Sequence, residues 1–164
     1  TSLLAYRSRS EKRKLKGRDF ADLRLLLRPQ TSRRGQTLDW NMDWSGEIAL
    51  DGTSVRQIGL NLLLNASEAA GQDGRVTFNS SISDSNLLIF VENDGKGIPE
   101  DLLHCLNTKE TKKIPLEDSV GIGLWVICRM VDEMRGQIKA TSSETGATVS
   151  VSIPFVTGVK KHAA

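Results

Sequence analysis

SVRQIGLNLLLNASEAAG, residues 54–71, decides how the rest of the chain is read. Stepping by the 100° of an α-helix places Gln57, Asn61, Asn65 and Glu68 within one arc of about 80°. Val55, Ile58, Leu62, Ala66 and Ala69 form a broad apolar arc opposite, and Leu60 and Leu64 flank the polar stripe. A helix apolar on both flanks is mostly buried, so its amides need partners. Two readings of them stand. Asn61 and Asn65 bond to neighbouring backbone, or Asn65 offers its carbonyl oxygen to Mg2+, a hard cation that prefers oxygen ligands. Ser54 with Gln57 has the form of a capping box, and Gly71 supplies a stop, so the spacing predicts a helix over 54–70.

Two further segments lie downstream. Asn93-Asp94-Gly95-Lys96-Gly97-Ile98 follows an apolar strand. A carboxylate at Asp94 can accept a hydrogen bond from an exocyclic amine and so select adenine, with Gly95 and Gly97 letting the backbone pass close to a ring or ribose. The alternative is a turn in which Asp and Gly serve geometry alone. Gly121-Ile122-Gly123-Leu124 enters a helix expected over 122–135, and a glycine-rich helix start offers N–H groups and a positive dipole end to phosphate. Of the preceding lysines, Lys109, Lys112 and Lys113, Lys109 is the candidate phosphate partner because it follows Thr108.

The remaining elements follow from periodicity and turn residues. A helix is expected from about Asp19 to Arg28, with Pro29 inside it or ending it. Leu38, Trp40, Met42 and Trp44 alternate as in a half-buried strand, and residues 48–50 form a short one. Residues 75–83 and 86–92 read as a hairpin, 99–106 as a short helix, 107–119 as a loop, and 137–141 and 148–154 as two last strands.

Composition adds bounds. The 164 residues suit one domain, with 38% hydrophobic and 26% charged residues. No apolar run approaches the ~18 residues of a membrane span. Cys105 and Cys128 sit in apolar surroundings and read as packed free thiols, consistent with a reducing cytoplasm. Residues 1–34 carry a net charge of +8 and residues 35–164 one of −6. The basic run lacks interleaved aromatics or a reading helix, so no nucleic-acid partner is expected.

Together these segments resemble the ATP-binding catalytic domain of two-component sensor histidine kinases, in the superfamily shared with gyrase, the 90-kDa heat-shock chaperones and MutL. Residues 57–66 look like the family's N box, 94–98 like its G1 box and 121–124 like its G2 box. Residues 146–149 with Ile153-Pro154 look like its closing strand. The resemblance implies an α/β two-layer sandwich, a mixed, mostly antiparallel sheet with helices on one face, holding ATP and Mg2+. By position, Asn61 and Asn65 are the candidate catalytic residues, with Asn65 on magnesium. Asp94 takes adenine, while Gly95, Gly97 and Ile98 shape the pocket. Lys109, Gly121, Gly123 and Leu124 serve phosphates and lid, and Thr148 supports an adenine-bound water. Residues 1–18 resemble the end of a dimerisation helix and a basic linker, 19–156 the catalytic domain, and 157–164 a loose tail.

Two departures qualify the resemblance. No phosphoacceptor motif is present, since neither His104-Cys105 nor His162-Ala163 fits it, and residues 102–106 contain no Phe where the family's lid has a Phe-rich box. The resemblance therefore implies transfer of the ATP γ-phosphoryl group to a histidine on a separate dimerisation domain, in a homodimeric parent that signals to a response regulator. The parent is expected to act in the cytoplasm, with or without an inner-membrane anchor. Gyrase- or MutL-type ATPases place a glutamate one turn before the magnesium asparagine. Here that position is Asn61, which cannot take a proton at neutral pH. A non-catalytic ATP-sensing module is the remaining alternative.

Overall fold

A computed structural model describes residues 13–110, 114 and 119–156. In chain order the elements are β1 (Lys14–Lys16), α1 (Gly17–Arg33), β2 (Thr37–Met42), β3 (Glu47–Asp51) and α2 (Gly52–Ala70). Then come β4 (Arg75–Ser83), β5 (Asn86–Asn93), α3 (Glu100–Thr108), α4 (Ser119–Glu133), β6 (Gln137–Ser143) and β7 (Gly146–Pro154). Five strands form one sheet in the order β2-β4-β5-β7-β6. The β2–β4 pair is parallel and the other pairs are antiparallel, so the expected mixed, mostly antiparallel α/β sandwich is observed.

Period-two burial sets the inner face of the sheet. Along β5, Leu87, Ile89, Val91 and Asn93 are buried in alternation, and β4 presents Val76, Phe78 and Ser80 to the same side. Helix α2 lies across this face with Val55, Ile58, Leu62, Leu63 and Ala66 buried, and α1 adds Phe20, Leu23 and Leu27. Trp40 stacks on Phe78 at 4.0 Å, and Phe20 meets Phe78 edge-on at 5.4 Å, closing the β2 end of the core.

Several boundaries differ from expectation for physical reasons. Helix α2 starts at Gly52 because Asp51, not Ser54, caps it: the Asp51 carboxylate accepts from Ser54 N at 3.2 Å and from the Ser54 hydroxyl. Helix α1 runs through Pro29 to Arg33. The bond Pro29 cannot make belongs to the Leu25 carbonyl, on a turn whose side chain is 63% exposed, where water can serve it. Residues 14–18 are not a linker: β1 pairs with β3 and Leu15 is fully buried, so the domain begins before residue 19. Helix α3 reaches Thr108 and α4 begins at Ser119. The expected dimerisation-helix remnant in 1–12, Lys112, Lys113 and the tail from 157 lie outside the described residues.

Two polar clamps fix the layers. Gln36 Nε2 donates to the carbonyls of Ser67 (2.7 Å) and Gly71 (2.8 Å), and the fully buried Ser67 hydroxyl donates to Gln36 Oε1 at 2.6 Å. The second joins α3 to β6: Asn107 Nδ2 donates to Ala140 O at 2.9 Å, and Ala140 N donates to Asn107 Oδ1 at 2.8 Å. Cys105 on α3 and Cys128 on α4 are both buried and free. Burial, with the Cys105 thiol beside it, pushes the Cys128 thiol up from an ordinary 9.0 to about 11.

Gln36→Ala removes the acceptor of the buried Ser67 hydroxyl and one of the donors to each of two carbonyls, and should lower stability by about 1–3 kcal/mol in urea unfolding. A thiol raised in the folded state stays protonated where the unfolded chain ionises. Stability should therefore hold up to about pH 9 and fall as the pH rises towards about 11. Cys128→Ala should flatten that decline in unfolding curves taken at stepped pH.

Candidate functional site

Helix α2, the loop after β5 and the start of α4 enclose a pocket of about 290 Å³. From α2 come Leu62, Asn65, Ala66, Glu68 and Ala69. The sheet supplies Val91 and Asn93 from β5, with Ala147 and Val149 from β7. Lys96, Gly97, Ile98, Pro99, Leu102 and Leu124 close the remaining side. The walls are mainly aliphatic, and the polar side chains are Asn65, Glu68, Asn93 and Lys96. Glu68 and Lys96 are exposed and Asn65 is half-buried, which leaves Asn93, 7% exposed, as the buried one of the four.

The loop is fastened at both glycines. A Cβ on Gly95 would stand 2.1 Å from the Ala69 carbonyl oxygen, and one on Gly97 would stand 2.3 Å from Ser142 Oγ. Both distances are far inside contact, so any side chain would lift the loop away from α2 or β6. With glycine present, Lys96 N donates to Ala69 O at 3.0 Å and Ile98 N donates to Ser142 Oγ at 2.7 Å.

The expected residues divide into those at the pocket and those elsewhere. Asn65, Gly97, Ile98 and Leu124 line it, and Gly95 forms its loop. Gly123 backs Asn65: its Cβ position lies 3.3 Å from both amide atoms of that side chain. Gly121 is buried in the first turn of α4. Asn61 stands apart, on the outward stripe, with Oδ1 accepting from Gln57 Nε2 at 3.0 Å. Lys109 adopts a left-handed conformation at the end of α3 and lines a different cleft with Cys128 and Asp132.

Asp94 and Thr148 are placed on the opposite face of the sheet. Asp94 is exposed and its Oδ1 accepts from Arg75 N at 2.8 Å, so the carboxylate is turned from the pocket. Thr148 directs its hydroxyl to Glu92 Oε2 at 3.3 Å. The cause is the strand period: β5 turns residues 87, 89, 91 and 93 inward, and the register pairs Asn93 with Ala147 and Glu92 with Thr148. The sequence reading missed Asn93 and Ala147, although extending the alternation of Leu87, Ile89 and Val91 by one step points to Asn93.

Asn65 Nδ2 is buried without a hydrogen-bond partner. The orphaned donor on the pocket wall, against the first turns of α4, fits a ligand that brings oxygens, and the carbonyl end of the same amide is of the type that holds a hard cation. No group of three His, Cys, Asp or Glu side chains is gathered for a metal among the described residues. Asn65 Oδ1 is a protein oxygen on the pocket wall that would suit a magnesium ion carried in with a nucleotide.

Comparison with known proteins agrees with this geometry. The profile of the family described as "Histidine kinase-, DNA gyrase B-, and HSP90-like ATPase" matches residues 50–157. Sensor histidine kinase ZraS of Escherichia coli K12 is 34% identical over 134 residues, which cover 80% of this chain and 28% of that protein. The chain thus spans under a third of that relative's length. The nucleotide-free catalytic domain of histidine kinase ThkA superposes with a TM-score of 0.74 at 22% identity, covering 87% of this chain and 95% of that one. ThkA in complex with response regulator protein TrrA gives a TM-score of 0.71 at 22% identity, covering 88% of this chain and 42% of that one. From β3 through β7 the profile takes in the whole pocket, and the chain belongs to the histidine kinase-, DNA gyrase B- and HSP90-like ATPase family.

Proposed function

We propose that this domain binds Mg-ATP and donates its γ-phosphoryl group to a histidine on a dimerisation domain of the same parent protein, which then serves a response regulator. The observation that carries the reading is the Asn65 amide, held against Gly123 with a buried atom unpaired, where the aliphatic pocket meets the first turn of α4. The base occupies the aliphatic pocket, and the phosphates extend towards that turn, where the helix dipole and first-turn N–H groups favour negative charge. Magnesium, when bound, neutralises phosphate charge, and Asn65 Oδ1 is the protein oxygen that would hold it. The chain's own contribution is positioning. The glycine loop locks the base wall, and Asn65 and Gly123 set the approach of the phosphates.

Transfer rather than hydrolysis is favoured by Asn61. A water-activating base needs a group that accepts a proton, and an amide does not at neutral pH. The Asn61 amide is also bonded to Gln57 and absent from the pocket wall. The similarity to ZraS and to ThkA, solved with response regulator TrrA, supports a response regulator as the downstream partner. No helix among the described residues is long and apolar enough to cross a membrane. We place the domain on the cytoplasmic side of its parent, where ATP is supplied.

Two measurements test the proposal. The full-length parent incubated with γ-labelled Mg-ATP should acquire acid-labile, base-stable label on histidine. Rapid release of inorganic phosphate with no labelled protein would replace transfer with hydrolysis. Asn65→Ala should weaken Mg-ATP binding by about tenfold or more, equivalent to about 1.4 kcal/mol, in calorimetry, with an unchanged circular dichroism spectrum. Unchanged affinity would remove Asn65 from the site.

A further inference from the structure

We propose that the outer face of helix α1 is a docking surface for an anionic lipid bilayer, on which the helix lies parallel to the membrane plane. The face is separate from the nucleotide pocket, to which α1 contributes no residue.

Helix α1 (Gly17–Arg33) is fastened by one side only. Phe20, Leu23, Leu27 and Thr31 are buried, and α2 passes so close that a Cβ on Gly59 would stand 2.8 Å from Leu23 Cδ1. The opposite side carries Leu25, 63% exposed, and Leu26, 52% exposed. Among the described residues the exposed large apolar side chains are Leu25, Leu26, Ile82, Ile122 and Val156, so two of them adjoin on this helix. Pro29, one turn beyond Leu25, is exposed as well.

Arginines frame these apolar groups. Stepping by 100° per residue sets Leu25 and Pro29 at the middle of the face, with Arg24 and Arg28 on one flank and Arg33 on the other. Arg18 stands in the first turn. All four arginines are exposed, and none makes an ion pair or side-chain hydrogen bond with a described residue. Asp22 is the acidic side chain on this face, and four arginines against one aspartate leave +3.

The distribution of these charges favours a plane. They span an arc of about 180° on a helix about 25 Å long. A single partner helix would cover a stripe of about 100° and leave one flank in water, whereas a bilayer surface meets the whole arc. Arginine stems lie along apolar ground and lift their guanidinium groups to the phosphates, while Leu25, Leu26 and Pro29 enter the acyl boundary. At that depth water still reaches the Leu25 carbonyl that Pro29 leaves unbonded. The helix is already folded and locked to α2, so little ordering cost opposes docking. Charge along the chain has the sense needed to orient it. Residues 1–34 carry +8 and residues 35–164 carry −6, so an anionic surface draws this end and repels the remainder. The aromatic residue of α1, Phe20, is fully buried, so the face offers no ring for a nucleic-acid base to stack on.

The probes are unilamellar vesicles of phosphatidylcholine with and without phosphatidylglycerol, and binding is read by flotation. The domain should float with the anionic vesicles and not with the neutral ones. Its affinity should fall by about tenfold or more as salt rises from about 0.1 to 1 M, where the screening length shortens from about 10 to 3 Å. Arg24→Gln with Arg28→Gln should weaken binding by about tenfold, and Leu25→Gln with Leu26→Gln by about threefold or more, each with an unchanged circular dichroism spectrum. No flotation with the anionic vesicles would overturn the proposal. So would equal flotation with neutral vesicles, or both double variants floating as the wild type does, which would put the contact elsewhere. A leucine-dependent complex with the parent's separate dimerisation domain, formed while vesicles are ignored, would assign the face to a protein and overturn the proposal as well.

Discussion

The carbonyl oxygen of Ala69 occupies the space a side chain on residue 95 would need. That close approach brings the loop after β5 down onto the last turn of α2, and Lys96 N completes it with a hydrogen bond. The loop side of the pocket depends on it. Were the loop a few ångströms higher, Gly97 and Ile98 would lose Ser142, and Asn93 would lose the Gly95 N–H that orients its amide. The end of α2 is held from its other side by Gln36, whose bonds to Ser67 and Gly71 bracket Ala69 in the sequence. The β2 entry and the loop after β5 thus grip the same helical turn.

Much of this arrangement was legible in the chain, because it rests on local periodicity. Helix α2 announces itself by an apolar arc opposite Asn65, and β2 by the alternation from Leu38 to Trp44, of which the strand takes the part up to Met42. Both survive because burial reinforces the pattern. The strand β1 was not legible: three residues rich in lysine have no strand signature of their own, and Leu15 is buried only because β3 lies beside it. Helix α1 passed its proline for a similarly non-local reason, since exposure of the turn around Leu25 is set by the packing of the opposite face.

The site was half legible. Asn65, Gly95, Gly97 and Leu124 fall where the spacing put them. Asp94 and Thr148 lie away from this pocket, and the difference has one cause. Charge and hydroxyl chemistry drew attention to them, while strand parity assigned the inward places to Asn93 and Ala147. A single step along a strand exchanges the two faces of a sheet. Lys109 fails differently: its left-handed conformation at the end of α3 places it in another cleft, and no pattern in the sequence encodes that.

Strand β6 ends the sheet order, and an end strand exposes a row of unpaired donors and acceptors to any passing chain. Asn107 meets Ala140 with both amide atoms, as a neighbouring strand would. One side chain on α3 therefore blunts the edge at its midpoint and denies a second copy the template for intermolecular β-pairing. Colloidal behaviour is in this way tied to α3: conditions that lift this helix from β6 also uncover an adhesive border.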